Sequence, residues 1–299
     1  MDRPVAEIEQ LMGRAEFQVG EFRGTRWPGD RTFVATLQFE DAASMQVKWA
    51  PAPADGGEFN NRPRLEIAAY RAQKLFLDED EYTVPPTLCR FIPMEEHPPT
   101  PPEARPVEPL FDEWDAVLVV LQYWLRWVNQ EEDAERILDK DRFEEDPVYA
   151  THLANFNLLT YLIRHRDSNR GNFLTSMDPD NPRVFSVDNG VAFSREESQR
   201  GTYWERIRVD AFPKESIDRL RALTPEYVQR ELEVIEQFEV DETGRLVATE
   251  PTANLDPGKG VRRGDSIVQL GLTEREIQEL YERIEKLLED VDKGKYEVF

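Results

Sequence analysis

An aspartate and an asparagine five positions apart, Asp167 and Asn172, fall in the segment Arg164-His165-Arg166-Asp167-Ser168-Asn169-Arg170-Gly171-Asn172. A second aspartate follows in Val187-Asp188-Asn189-Gly190. The order matches His-Arg-Asp-x-x-x-x-Asn followed by a metal-binding Asp. Phosphoryl transfer asks for these residue types. One carboxylate positions the attacking hydroxyl and accepts its proton, while an amide oxygen and a second carboxylate hold Mg²⁺ against the phosphates. Asp167 taken singly also suits a turn or a cap, and Asp-Asn-Gly is a common turn; the ordered combination is what points to catalysis.

A site of this kind needs a cation for the nucleotide phosphates. Lys48 lies in the apolar run Met45-Gln46-Val47-Lys48-Trp49, and Glu66 on a following stretch with helical spacing. A Lys engages phosphates as a point charge, and a Glu holds its long side chain and offsets its desolvation. Gly20, Gly24 and Gly29 precede them in a spacing that fits no standard phosphate loop; they suit either a backbone that approaches phosphates or ordinary turns. Arg166 and Arg170 suit charge neutralisation on the phosphate path or surface ion pairs. His165 reads as packing behind the loop, since the carboxylate fills the role of base.

Competing motifs fail. Gly258-Lys259 is followed by Gly260 rather than Ser or Thr, with Ala253 at the position of the first P-loop glycine, and no Gly-x-Ser-x-Gly elbow occurs.

The elements that must position these residues are partly legible. Phe17–Val19, Thr32–Phe39 and Met45–Trp49 read as an antiparallel meander. Pro63 opens a helix whose apolar stripe is Leu65, Ala68, Ala69, Ala72, Leu75 and Phe76, which leaves Glu66 on another face. Prolines crowd residues 97–109 and mark an irregular insertion. Val117–Leu121 suits a buried strand, although Trp114, Leu118, Leu121, Leu125 and Val128 also recur at helical spacing; strand, then helix, is the preferred reading. A long helix from Pro147 leads into the Asp167 segment, and Val184–Val187 is a strand. The C-terminal third reads as mainly helical, with Thr224-Pro225 opening one helix and the Thr273/Glu276 capping box another.

Composition narrows the partners. With 60 Asp plus Glu against 37 Lys plus Arg, the formal charge is −23. Such a field disfavours nucleic acid and anionic membrane. The run Ala116–Val128, broken by Gln122 and Arg126, falls short of the ~20 residues a spanning helix needs, so no stable membrane insertion is expected. Cys89 is the only cysteine, and Met1-Asp2-Arg3-Pro4 lacks the basic start and apolar run of a secretion signal. A reducing cytoplasm is the expected location. One Cys and three His exclude dense zinc sites, so a metal would be hard and oxygen-ligated, Mg²⁺ or Mn²⁺.

The sequence resembles the atypical kinases: the phosphatidylinositol 3- and 4-kinase-like proteins, the secretory-pathway casein kinase group and HipA-like kinases. The resemblance rests on Val47-Lys48, Glu66-Ile67-Ala68-Ala69-Tyr70 with Val84-Pro85-Pro86, Asp167 through Asn172, and Val187-Asp188-Asn189-Gly190-Val191-Ala192-Phe193. It implies an α+β, two-lobed fold, with a sheet-rich ATP-binding lobe over 1–125 and a mostly helical catalytic lobe over 126–299. It assigns Lys48 to ATP phosphates, Glu66 to its ion pair, Asp167 to the base, and Asn172 and Asp188 to the metal. Gly24 and Arg170 are added as phosphate-side candidates. Ser168-Asn169 stand where these relatives often carry Arg-His, a departure that bears on the substrate. The expected reaction is γ-phosphoryl transfer from ATP to a hydroxyl acceptor, with protein Ser/Thr preferred over a phosphoinositide because no basic membrane patch is evident. A small-molecule hydroxyl, AMP transfer on the same site, and a pseudokinase that binds nucleotide or a partner are the alternatives.

Overall fold

The computed structural model describes residues 3–25, 31–41, 43–57, 61–100, 104–130, 137–195 and 201–299, and of Arg170 the backbone only. Gly29, Pro101 and Pro102 lie outside the described residues.

In chain order the elements begin with α1 (Val5–Gly13), β1 (Gln18–Gly24), β2 (Phe33–Gln38), β3 (Ser44–Pro51), α2 (Pro63–Gln73), β4 (Thr87–Pro93) and β5 (Ala116–Tyr123). They continue with β6 (Val128–Gln130), α3 (Lys140–Glu145), α4 (Pro147–Leu162), β7 (Phe173–Ser176), β8 (Val184–Ser186), β9 (Ala211–Phe212), α5 (Lys214–Ala222) and α6 (Pro225–Leu232). The last are β10 (Glu236–Val240), β11 (Leu246–Thr249), β12 (Val261–Arg263), β13 (Ile267–Leu270), α7 (Glu274–Asp292) and β14 (Glu297–Val298). They group into two compact units. The first takes residues 1–67, 86–126 and 234–271, and the second 68–85, 127–233 and 272–299.

The first unit is built on a five-stranded antiparallel sheet of order β1-β2-β3-β5-β4. Alternation along β3 and β5 divides its two faces. Val47, Trp49, Val119 and Leu121 pack into one core with Ile8 and Met12 of α1. Ala50, Leu118 and Val120 pack into another with Ile67 of α2. β5 is therefore buried on both faces, which explains its unbroken apolar run. Lys48 pairs in register with Val34 and Gln122; by alternation it shares the face on which Ile67 packs, and Glu66 precedes Ile67 on α2. The helix expected after Leu121 is absent: the chain leaves β5 and enters the short strand β6. A second, four-stranded antiparallel sheet, order β11-β10-β13-β12, completes this unit. It occupies part of the C-terminal third that the sequence reading gives mainly to helix.

The second unit packs α4 and the β6-β7-β8 sheet with α5, α6 and α7. Asp146 caps α4 by accepting from Val148 N and Tyr149 N, with Pro147 at the first helical position. Phe156 of α4 sits edge-on to Phe173 at 5.4 Å and to Trp204 at 5.0 Å. Thr273 and Glu276 close the expected capping box of α7, whose stripe Ile277, Leu280, Ile284, Leu287 and Val291 is buried.

Gln73, fully buried, fastens the segment after α2. Its Nε2 donates to Val84 O at 2.8 Å, and its Oε1 accepts from Thr83 N and Val84 N, each at 2.8 Å. Gln73→Ala leaves three buried backbone groups unpaired. It is expected to cost about 2–4 kcal/mol, read as a lowered urea midpoint; an unchanged midpoint would contradict this role.

Among the described residues no helix is long and apolar enough to cross a membrane.

Candidate active site

The Asp167 segment is shaped from both ends. α4 stops at Ile163, and Arg164 adopts a left-handed φ of 54°. This reversal lets His165 N donate to Thr160 O at 2.8 Å. The loop then folds on itself: Asn169 N donates to Asp167 O (2.7 Å) and Asn172 N to Asn169 O (2.9 Å). Ser168 N donates to Gly201 O at 2.9 Å, while Ser168 Oγ accepts from Trp204 N at 3.0 Å.

Asp167 and Asn172 are brought together by this path. Both are buried, and Asn172 Nδ2 donates to Asp167 O at 3.0 Å and to Asp167 Oδ2 at 3.1 Å. The other carboxylate oxygen, Asp167 Oδ1, is buried with no hydrogen-bond partner among the described residues. A buried oxygen left unpaired is costly and marks a place where a further group belongs. Because the Asn172 nitrogen is engaged by Asp167, its amide oxygen is the atom left for a cation.

Asp188 is placed by the next hairpin. β7 and β8 pair antiparallel with Phe173 opposite Ser186, and Val187 N donates to Asn172 O at 2.9 Å. Asp188 follows directly. It is half-buried and left-handed at φ 56°, a conformation Asp tolerates better than most residues. Ser186 Oγ donates to Asn189 Oδ1 at 2.8 Å and holds the turn. Phe193, buried and also at φ 56°, donates its N–H to Ile163 O at 2.6 Å, so the segment after Asp188 is tied to the end of α4. A bulky side chain at positive φ persists only where its surroundings enforce it.

The donor set fits a hard cation: carboxylates and one amide oxygen, with no thiolate. Among the described residues no three His, Cys, Asp or Glu side chains form a metal-holding group. A cation here would rest on Asp188, Asn172 and oxygens of its ligand, in keeping with Mg²⁺, which retains waters and phosphate ligands.

His165 packs beneath the loop, 5.0 Å from the Phe173 ring, with both ring nitrogens buried and without a hydrogen-bond partner among the described residues. Burial pushes its pKa down to about 4, against the opposing pull of Asp167 and Asp188. The ring is therefore neutral and acts as packing. Its folded pKa is below the unfolded value of about 6.5, so the stability it carries is present above pH 6.5 and is lost as pH falls from 6.5 towards 4. His165→Phe is expected to flatten that acid-side loss by about 2 kcal/mol, measured as the unfolding free energy at pH 7 and pH 4.5. Parallel pH curves for the two proteins would contradict it.

In the first unit, Lys48 Nζ lies 3.3 Å from Glu66 Oε1, with both side chains 9% exposed. Gly24 ends β1, and a Cβ there would meet nothing within 4 Å among the described residues, which place no steric demand for glycine. Arg170 lies with its backbone in the short 3-10 turn Arg170–Asn172, its side chain outside the described residues. Arg166 pairs through Nε with Glu205 at 3.2 Å.

Glu205 is the residue that sequence reasoning missed. Its two oxygens receive Arg164 Nε at 3.0 Å and Arg166 Nε at 3.2 Å, fixing the guanidiniums on either side of His165. Nothing in local spacing announces it, because the pairing depends on the return of the chain at Tyr203–Glu205.

By sequence, no protein-family model matches the chain, and no curated protein matches it. By structure, it is similar to hydra Fam20, solved with sugar, at a TM-score of 0.55 and 12% identity, covering 98% of this chain and 90% of that one. A MAP kinase from Leishmania major, LmaMPK10, aligns at a TM-score of 0.30 and 14% identity over 62% of this chain and 49% of its own, too loosely to bear on the fold. The Fam20 likeness, with the mixed helices and antiparallel sheet, gives the chain a kinase-like fold.

Proposed function

We propose that the chain is a phosphotransferase that moves the γ-phosphoryl group of ATP to a hydroxyl acceptor in a reducing cytoplasm. The observation that carries this reading is Asp167, a buried carboxylate with one oxygen held by Asn172 and the other without a partner among the described residues. The kinase-like fold supports it.

In this reading Asp167 Oδ1 receives the hydroxyl proton as the acceptor oxygen attacks, and Asn172 keeps the carboxylate in that orientation. Lys48, steadied by Glu66, holds α- and β-phosphate oxygens, with Gly24 and Arg170 on the phosphate side. Asp188 and the Asn172 amide oxygen hold the metal. Mg²⁺ or Mn²⁺, when bound, neutralises phosphate charge. Residues 1–125 form the ATP-binding part and 126–299 the catalytic part. The acceptor is a protein Ser/Thr in preference to a lipid head group, because a chain of charge −23 is repelled by an anionic bilayer.

The test supplies ATP labelled in the γ- or the α-phosphate, with Mg²⁺ and a Ser/Thr-rich protein acceptor, and reads label and intact mass. Transfer of γ-label is the expected result. Transfer of α-label instead identifies AMP transfer, and no transfer of either, with Mg²⁺ or with Mn²⁺, refutes the reading.

A further inference from the structure

Between α6 and α7, which belong to the second unit, the chain contributes Val234–Gly271 to the first. This stretch is the sheet β10–β13, and nothing in the site as described above uses it. Its contacts nonetheless converge on α2, the helix that carries Glu66.

The insert is fastened to β4, an edge strand of the five-stranded sheet. Cys89 N, on β4, donates to Glu236 Oε1 at 3.0 Å and to Glu236 Oε2 at 2.9 Å. Phe238 sits edge-on to Phe91 at 5.0 Å. With Val268 and Leu270 it joins the core into which Ile67 of α2 packs. The insert is thereby built onto the same sheet that holds Lys48 in β3.

A closer contact lies at the start of α2. A Cβ on the buried Gly260 would stand 2.3 Å from Arg64 Nε, 2.4 Å from its Cδ and 2.5 Å from its Cζ, nearer than a Cβ can approach. The φ of Gly260 lies outside the left-handed region, so glycine serves here for room and not for backbone freedom. Arg64 Nη1 donates to Gly271 O at 3.5 Å, and Gly271 N donates to Gly260 O at 3.0 Å. The two glycines form one seat for the guanidinium. Ahead of the helix, Asn61 Nδ2 donates to Pro51 O at 3.1 Å and ties the entry of α2 to the end of β3.

Glu66 stands two residues after Arg64 and one before Ile67. Because a helical turn moves as a unit, whatever holds Arg64 and Ile67 also sets the direction in which Glu66 points. Its pair with Lys48, at 3.3 Å, is at the long end of a hydrogen bond, and a shift of the turn by about 1 Å would open it.

We propose that the β10–β13 sheet is a positioning device for the Lys48–Glu66 pair, with Gly260 and Phe238 as positioning residues that act through Arg64 and Ile67. Its consequence for nucleotide rests on the assignment of Lys48 to ATP phosphates; its effect on the pair does not. The alignment of Glu66 with Lys48 is then set by the chain itself.

Two readouts on the full chain, taken where each variant is folded, separate positioning from plain support. In the first, a pulse of an N-hydroxysuccinimide ester of acetate acylates lysines, and peptide mass spectrometry reads Lys48 against Lys214, whose side chain is 71% exposed. A carboxylate beside an ammonium favours its charged, unreactive form. Gly260→Ala, which displaces Arg64, is expected to raise the Lys48 rate at least about threefold, and Phe238→Leu at least about twofold. In the second, Mg-ATP is titrated by calorimetry. Gly260→Ala is expected to weaken binding at least about threefold in the otherwise native chain and to add no further loss beside Lys48→Met, Glu66→Leu, where the pair is already gone. A sheet that only supports the fold would lower the melting temperature and leave Lys48 acylation unchanged. Wild-type acylation of Lys48 in both insert variants, or an equal further loss of ATP affinity beside Lys48→Met, Glu66→Leu, overturns the proposal. Raised acylation of Lys48 in a chain whose wild type binds no ATP upholds the positioning and refutes the nucleotide reading instead.

Discussion

Asp167→Asn is expected to lower the transfer rate by about 10²–10⁴-fold, the worth of a positioned general base, while the affinity for ATP changes by less than about threefold. The substitution is nearly isosteric. The new amide oxygen still accepts from Asn172 Nδ2, which now meets Asp167 Oδ2 at 3.1 Å, so the loop retains its closure. What disappears is Oδ1, the buried oxygen without a partner among the described residues, and with it the proton acceptor. Single-turnover rates with ATP in excess measure the effect. An undiminished rate would remove Asp167 from the reaction.

Lys48→Met should act on both stability and binding. It removes the cation that lies 3.3 Å from the Glu66 carboxylate, where both side chains are 9% exposed; breaking a buried pair by removing one member costs about 3–5 kcal/mol. Adding Glu66→Leu should restore most of that stability, because an apolar pair of similar volume fits a face already lined by Ile67, Leu118 and Val120. ATP affinity, in contrast, should fall at least about tenfold in both variants, since neither has the phosphate-binding charge. Urea unfolding beside ATP titration separates the two effects. Recovery of ATP binding in the double variant would mean that Lys48 serves the fold alone.

The parts of the site that are local in sequence were the legible ones. The five-residue offset of Asp167 and Asn172 corresponds to a loop that closes on itself through backbone hydrogen bonds, and helical spacing after Pro63 separated Glu66 from the apolar stripe of α2. The misleading segment was Trp114–Val128. An all-apolar strand satisfies helical spacing by default, and burial of β5 between β3 and β4 decided the matter. The sheet β10–β13 escaped notice because its strands are three to five residues long and sit between two well-capped helices, α6 and α7. Glu205 was illegible for a different reason. Its partners, Arg164 and Arg166, come from a distant segment, and only tertiary packing brings it to the end of α4.

The account stands most directly on a calorimetric titration of the purified chain with ATP, with and without Mg²⁺, beside Asp188→Asn. It predicts binding that strengthens with Mg²⁺ in the wild type and is at least about tenfold weaker in the variant, because a carboxylate that couples metal to nucleotide has become neutral. A wild type that binds no ATP under any metal condition, or an Asp188→Asn protein that binds Mg-ATP as tightly as the wild type, would contradict it.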